Sequence, residues 1–145
     1  MDSRFPYSLR ADAENALARL ENGRWKPRHC LQHGDLWPGN FLLPKHPVGP
    51  FNFFVVDWAG MKRHGFPIFD LVRLSESLRC TRRFRDRTFR RFADLLGCEM
   101  IDLRGYLIAA LGDLGDNLEY FPEEAYYRMS IRSHDYLRFL NNAYG

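Results

Sequence analysis

A proline- and glycine-rich stretch at residues 44–50 constrains the fold of this chain more than any other feature. It contains three prolines and one glycine, so it can form neither a helix nor a central β-strand. Short aromatic and aliphatic runs flank it at residues 41–43 and 53–56. The pattern therefore predicts a β-hairpin with a long connecting loop, and the second strand is expected to end at Asp57.

The remainder of the chain is predicted to be mostly helical. Ser8 and Asp102 are predicted N-caps, and Gly97 is a predicted helix end. Pro27 favours extended chain, so a short strand is predicted over residues 28–32. The expected fold class is α+β, mostly helical, with a small β-hairpin. Apolar residues recur at helical spacing in five segments, which are 8–22, 68–78, 83–96, 102–114 and 122–141.

Length and composition indicate one folded domain. A chain of 145 residues with 46% hydrophobic residues can bury a sizeable core without disulfides or metal ions. No apolar run reaches the roughly 18 residues of a membrane span, so we expect no membrane insertion. The three cysteines are an odd number without CxxC spacing, which favours a reduced, cytoplasmic protein.

The positive charge of the chain is concentrated in one segment. The formal net charge is +3, yet residues 79–91 alone contain seven arginines and one aspartate. Such a cluster is either a solvated helix face or a surface for phosphates and acidic partners. Phe84 and Phe92 are predicted to point into the core, so the segment lacks exposed aromatic side chains on which bases could stack. We therefore do not expect nucleic-acid binding.

The most informative motif lies between the predicted strands. Residues 33–40 read His-Gly-Asp-Leu-Trp-Pro-Gly-Asn and match the pattern H-x-D-L-x-x-x-N, and Asp57 follows the hairpin. In phosphoryl transfer, the Asp of this pattern accepts the proton of the attacking hydroxyl, and the Asn coordinates the metal on the nucleotide phosphates. A second Asp holds the same metal from the other side. The predicted hairpin would bring Asp57 beside Asn40.

Other chemistries fit these residues less well. His29 and His33 have the spacing of a helical zinc pair, but on a strand they would lie far apart, and no second ligand pair follows. Asp35 and Asp57 could in principle form the acid and base of a hydrolase. The position of Asn40 between them is better explained by phosphoryl transfer.

Residues 33–40 and 55–60 together resemble the catalytic core of the aminoglycoside phosphotransferase and choline kinase-like family, which shares the protein-kinase fold. The glycine after His33 and the Asp-Trp pair at residues 57–58 are typical of these small-molecule kinases. Residues 65–71 resemble the segment that follows in the family, where an Asp opens a buried helix beneath the catalytic loop. The resemblance is close over about residues 8–80.

The resemblance implies a function and a role for each site residue. Asp35 would be the catalytic base, and Asn40 and Asp57 would bind Mg²⁺ and, through it, ATP. His33 and Asp70 would support the catalytic loop. The implied activity is transfer of the γ-phosphate of ATP to a hydroxyl group of a small molecule.

The same resemblance implies that the chain corresponds to the C-terminal lobe of such a kinase. Only 32 residues precede His33, and the chain contains no glycine-rich phosphate loop, so the N-terminal lobe is expected to be absent or supplied by a partner chain. We expect residues 1–145 to form one domain, with a catalytic core at residues 8–80 and a helical subdomain at residues 81–145. The alternative is a catalytically inactive remnant that acts as a partner-binding module.

The sequence does not name the acceptor. A basic helix near the site would repel cationic aminoglycosides, so it would suit an anionic or sugar acceptor better.

Overall fold

Five α-helices and two small antiparallel sheets make up the chain in the ranges that the computed structural model describes, residues 3–46, 49–50, 52–118 and 121–141. This confirms the expected α+β class with mostly helical content. A 3₁₀ turn at Pro38–Asn40 precedes the second strand. In chain order, the elements are α1 (Tyr7–Glu21), β1 (Cys30–Gln32), β2 (Phe41–Leu42), β3 (Phe54–Val55), β4 (Lys62–Gly65), α2 (Ile68–Ser77), α3 (Arg82–Leu96), α4 (Asp102–Gly115) and α5 (Glu123–Asn141).

The predicted hairpin is confirmed. Strands β2 and β3 pair antiparallel, with Phe41 opposite Val55 and Leu42 opposite Phe54. Part of the connection between them, at residues 47, 48 and 51, lies outside the described residues. The hairpin therefore returns the chain from the end of the first motif to the start of the second.

Strand β4 was not expected from the sequence. It pairs antiparallel with β1, and Cys30 lies opposite Gly65. Its sequence, Lys-Arg-His-Gly, has no β-branched residue, so the strand forms because β1 offers it hydrogen-bond partners. The side chain of Gln32 lies over Gly65, where an added Cβ would come within 2.4 Å of Oε1. The same Oε1 accepts a hydrogen bond from the Phe66 N–H at 2.8 Å.

The two predicted N-caps are wrong. Ser8 lies inside the first turn of α1, and Pro6 occupies the cap position, where its carbonyl accepts from Leu9 and Arg10. Pro6 has no polar side chain, so the first turn of α1 has no side-chain cap. Asp102 is the first residue of α4 rather than its cap. The predicted stop is confirmed, because Gly97 ends α3 in the left-handed conformation with φ of 66°.

The prediction that Phe84 points into the core is wrong. Its side chain lies near the start of α3 and is 46% exposed, so the basic segment at residues 79–91 does carry an exposed aromatic side chain.

The hydrophobic core surrounds α4, which packs against α1, α2 and α5. Trp25, from the segment after α1, meets Tyr106 edge to face at 5.1 Å. Gly105 permits this contact, since a Cβ there would lie 2.9 Å from the indole ring. Burial of each large side chain contributes about 1.5–3 kcal/mol. Among the described residues, the fully buried apolar and aromatic ones are Ile68, Val72, Phe89, Leu103, Tyr106, Leu107 and Leu137.

Charged contacts fasten α1 to the rest of the helical body. Arg19 bonds Asp102 at 2.6 Å and Glu99 at 2.9 Å, which fixes the end of α1 at the start of α4. Asp12 pairs with Arg104 of α4 at 2.9 Å and lies 2.8 Å from Nε2 of the fully buried His134. The helices thus form a fixed support for the loops between β1 and α2.

None of the helices in the described ranges combines the length and the hydropathy that a bilayer span requires. The three cysteines are all free thiols, as their number and spacing predicted.

Candidate active site

The loop that follows β1 is anchored by a carboxylate on α2. Asp70, in the first turn of that helix, is 5% exposed. Its Oδ2 accepts a hydrogen bond from the His33 N–H at 2.6 Å, and its Oδ1 accepts one from the Gly34 N–H at 2.9 Å. Two backbone donors of one loop are thereby satisfied by one side chain, which sets the position of the loop on the helix.

Burial dominates the ionisation of Asp70. Loss of hydration raises the pKa of this carboxyl above its ordinary value of 3.8, while the hydrogen bonds from the His33 and Gly34 backbone act in the opposite direction. The charged form is therefore held in the fold at a cost in free energy.

His33 connects the loop to the hairpin. Its Nδ1 accepts a hydrogen bond from the Asp35 N–H at 3.3 Å, and its Nε2 lies 2.9 Å from the Val56 carbonyl. An N–H can only donate and a carbonyl can only accept, so this pair of contacts fixes the tautomer with the proton on Nε2. The ring is buried and packs against Trp58, with 4.6 Å between the centroids.

Gly34 allows the two motifs to touch. Its φ is 89°, and an added Cβ would come within 2.6 Å of the Gly60 carbonyl oxygen. A residue with a side chain would meet both a backbone clash and an unfavourable conformation there. The glycine that follows His33 is therefore explained by the close approach of the loop to residues 57–60.

Asn40 is the buried corner of the site. Its Nδ2 donates to the Asp35 carbonyl at 2.8 Å, and its own carbonyl accepts from the Val56 N–H at 3.0 Å. Because the amide nitrogen is committed to Asp35, the side-chain oxygen Oδ1 is the atom that can serve an added ligand. The side chain thus closes the loop, and the backbone carbonyl joins the loop to the hairpin.

Asp57 lies one residue beyond the contact between Val56 and Asn40. Its φ is 62°, a left-handed conformation that costs a residue with a side chain about 1–2 kcal/mol. Its side chain is exposed and makes no hydrogen bond or ion pair with the described part of the chain. Strained backbone of this kind concentrates at functional sites.

Asp35 carries a partner that the sequence did not suggest. Its side chain is 52% exposed, and its Oδ1 lies 2.8 Å from Nη2 of Arg73 on α2. Arg73 follows Asp70 by three residues, so both side chains lie on the same face of α2. The three-residue spacing of Asp70 and Arg73 was the signal that could have predicted this contact. A helix that anchors the loop through Asp70 also places its next turn near the loop.

Arg73 also lines a cleft of about 520 Å³ between α2 and α5, which we call the arginine cleft. Trp37 stands at its edge and is 46% exposed, and Trp58 is 41% exposed, so neither of these side chains belongs to the core. The other charged residues that line the arginine cleft are Glu76, Arg128 and Arg132.

The donor set suits magnesium better than zinc. Both ring nitrogens of His33 are bonded to backbone groups, which leaves it no lone pair for a metal. In the described ranges, no group of three or more His, Cys, Asp and Glu side chains is placed to hold a metal ion. Asn40 and Asp57 offer oxygen atoms, and Mg²⁺ is commonly bound by one or two protein oxygens together with substrate phosphates.

One comparison with known proteins found a match. The family model of the phosphotransferase enzyme family matches residues 2–106, which include the first motif, the hairpin and Asp70. The chain belongs to the phosphotransferase enzyme family. The resemblance to aminoglycoside phosphotransferases and choline kinase-like enzymes is thereby confirmed. No curated protein and no solved structure matches the chain.

Proposed function

We propose that this chain carries the catalytic lobe of a kinase-like enzyme that transfers the γ-phosphate of ATP to a hydroxyl group of a small molecule. The observation that carries the proposal is the double link of Asn40, which bonds the Asp35 carbonyl on one side and Val56 on the other. This link holds the residue before Asp57 against the loop that bears Asp35. Membership of a phosphotransferase family supports the reaction type.

In this proposal Asp35 is the catalytic base. The acceptor oxygen bonds to the γ-phosphorus while the bond from that phosphorus to the β–γ bridging oxygen breaks. The hydroxyl proton passes to the Asp35 carboxylate and then to solvent, and the products are a phosphate ester and ADP. The transition state is loose and highly charged, so positioning and charge neutralisation provide most of the catalysis.

Asn40 and Asp57 are the proposed ligands of Mg²⁺. When bound, the metal supplies positive charge that neutralises the nucleotide phosphates. Asn40 offers Oδ1 because its Nδ2 is held by Asp35, and Asp57 offers an exposed carboxylate with no other partner among the described residues. His33 and Asp70 are proposed as positioning residues, since they hold the loop and do not face a reacting atom.

The proposed fold is the C-terminal lobe of a protein-kinase-like enzyme. Such a lobe presents its catalytic loop and hairpin to a second lobe that covers the phosphates. Phe53 lines a groove of about 280 Å³ on one side of the β2–β3 hairpin, and the other face of the hairpin exposes the apolar side chains of Leu42 and Phe54. We propose that an N-terminal lobe or a partner chain covers this face.

The free thiols fit a reducing compartment, so we propose that the reaction takes place in the cytoplasm.

The alternative function is a partner-binding module without catalysis. The same apolar hairpin face favours it, because a protein surface of this kind usually meets a partner.

Phosphoryl transfer separates the two functions. The chain is incubated with ATP labelled at the γ-phosphate, Mg²⁺ and a panel of hydroxylated acceptors, and the labelled ester is quantified. We expect slow transfer that the Asp35→Asn variant loses, while Asp94→Asn, which alters an exposed carboxylate on α3, leaves it unchanged. Transfer that persists in Asp35→Asn would exclude the assigned base. No transfer above the rate in buffer, together with no Mg²⁺-dependent binding of ATP, would favour the partner-binding module.

A further inference from the structure

The arginine cleft carries more positive than negative charge. Arg73 comes from α2, while Arg128 and Arg132 lie one turn apart on α5 and so face the same side. Among the described residues, Glu76 is the one carboxylate that lines the cleft, and it pairs with Arg132. None of these arginines belongs to the basic segment at residues 79–91 that the sequence emphasised.

The guanidinium groups of the cleft have capacity for a ligand. Arg128 is exposed and forms no ion pair within the described ranges. Arg132 is 73% exposed even with Glu76 as its partner. Arginine presents a planar fork of donors that matches carboxylate and phosphate oxygens. Three such groups against two carboxylates, Glu76 and the Asp35 partner of Arg73, favour an anion and disfavour a cation.

The cleft adjoins the proposed catalytic base. Nη2 of Arg73 lies 2.8 Å from Oδ1 of Asp35, so a ligand on Arg73 stands beside that carboxylate. The volume of about 520 Å³ lies within the usual range for small-molecule sites, roughly 300–1,000 Å³. Trp37 adds an exposed aromatic wall at the edge of the cleft.

We propose that the arginine cleft binds the acceptor, and that the acceptor is a small hydroxylated anion bearing a carboxylate or a phosphate group. The inference rests on the proposed kinase function. The anionic group is held by Arg73, Arg128 and Arg132, and it competes with Asp35 for Arg73. A neighbouring hydroxyl then lies at the Asp35 carboxylate, which is released to accept its proton during the transfer described above.

The ligand class is tested by calorimetric titration of the 145-residue chain. The probes are glycerol 3-phosphate, gluconate, neutral glucose and the cationic aminoglycoside kanamycin. We expect one or both anions to bind with an affinity that falls as ionic strength rises, and we expect no binding of glucose or kanamycin. The two anions distinguish a phosphate-bearing from a carboxylate-bearing acceptor. Equal binding of glucose, or preference for kanamycin, would overturn the proposal, and so would absence of binding by both anions.

Two matched double variants test the location. Arg128→Gln with Arg132→Gln should weaken binding of the preferred anion by at least about tenfold, since charge-assisted hydrogen bonds are lost. Arg83→Gln with Arg91→Gln removes the same charge from exposed positions of α3 and should change it by less than about twofold. Equal weakening by the two variants would show that net charge, and not the cleft, attracts the anion.

A further variant separates this inference from the proposed function. Asp57→Asn should abolish Mg²⁺-dependent ATP binding and leave anion binding intact, because Asp57 does not line the cleft. If Asp57→Asn still binds ATP, the proposed function is wrong, while the anion titration still shows whether the arginine cleft binds an anion. Anion binding weakened about tenfold by Asp57→Asn would place the anion elsewhere and overturn the inference.

Discussion

The Asp70 carboxylate accepts a hydrogen bond of 2.6 Å from the backbone N–H of His33, across 37 residues of sequence. This contact joins the first turn of α2 to the start of the loop that bears Asp35. Because α2 packs into the hydrophobic core, its contact with the loop fixes the position of the loop relative to the other helices. We therefore propose that this buried carboxylate has a positional role in the site.

Removal of the Asp70 carboxylate should destabilise the fold. In Asp70→Ala the N–H groups of His33 and Gly34 lose their acceptor, which costs about 1–3 kcal/mol. Urea unfolding followed by circular dichroism measures the change. Asp94→Ala, at an exposed position on α3, should shift the unfolding free energy by less than about 0.5 kcal/mol. An unchanged midpoint in Asp70→Ala would contradict the positional role.

The stability contributed by Asp70 should depend on pH. Burial raises the pKa of Asp70 above 3.8 in the folded state, so the folded chain binds a proton more readily than the unfolded chain. The contribution of the Asp70 carboxyl to the free energy of unfolding is fully present below pH 3.8, and it is lost as the pH rises through the pKa of Asp70 in the folded state. The difference in unfolding free energy between wild type and Asp70→Asn should therefore grow as the pH falls from 7 towards about 4. If the unfolding free energy of wild type relative to Asp70→Asn instead falls over this range, the hydrogen bonds to Asp70 have a larger effect on its pKa than burial has.

Gly34 should tolerate no side chain. Gly34→Ala combines a φ of 89° with a Cβ placed 2.6 Å from the Gly60 oxygen. Gly23 is the matched control, because its φ is 72° and nothing lies within 4 Å of an added Cβ. Gly23→Ala should cost about 1 kcal/mol and Gly34→Ala at least about 2 kcal/mol more, as thermal unfolding can measure. Equal costs would mean that the loop does not lie against residues 57–60.

Cys98 should react slowly with alkylating reagents. Burial raises the pKa of its thiol from 9.0 to about 11. The rate of iodoacetamide modification at Cys98, followed by mass spectrometry, should still rise about tenfold between pH 9 and pH 10. For a cysteine in an unfolded peptide, which serves as the control, the modification rate approaches its plateau over the same pH range. A plateau near pH 9 at Cys98 would contradict its burial.

Local pattern predicted much of this fold. The five helices and the β2–β3 hairpin follow from apolar spacing and from the proline-rich stretch between residues 41 and 56. Strand β4 escaped prediction because its residues have no strand preference and pair only once β1 is in place. The Ser8 cap was misassigned because α1 begins one residue earlier, at Tyr7, which places Ser8 inside the first turn.

Only part of the candidate site was predicted from the sequence. Asp35, Asn40 and Asp57 lie within 23 consecutive residues, so a local motif identified them. The Arg73–Asp35 contact joins residues 38 apart, and the arginine cleft adds Arg128 and Arg132 from the last helix. Only the packing of α2 against α5 brings these residues together, and no local pattern encodes that packing.

Calorimetric titration of the chain with ATP in the presence of Mg²⁺ probes the proposed metal–nucleotide site at Asn40 and Asp57. We expect weak binding, about millimolar and worth roughly 4 kcal/mol, that requires Mg²⁺. Asp57→Asn should abolish it, and Asp94→Asn should leave it unchanged. ATP binding that is equally strong without Mg²⁺, or that survives in Asp57→Asn, would contradict the account.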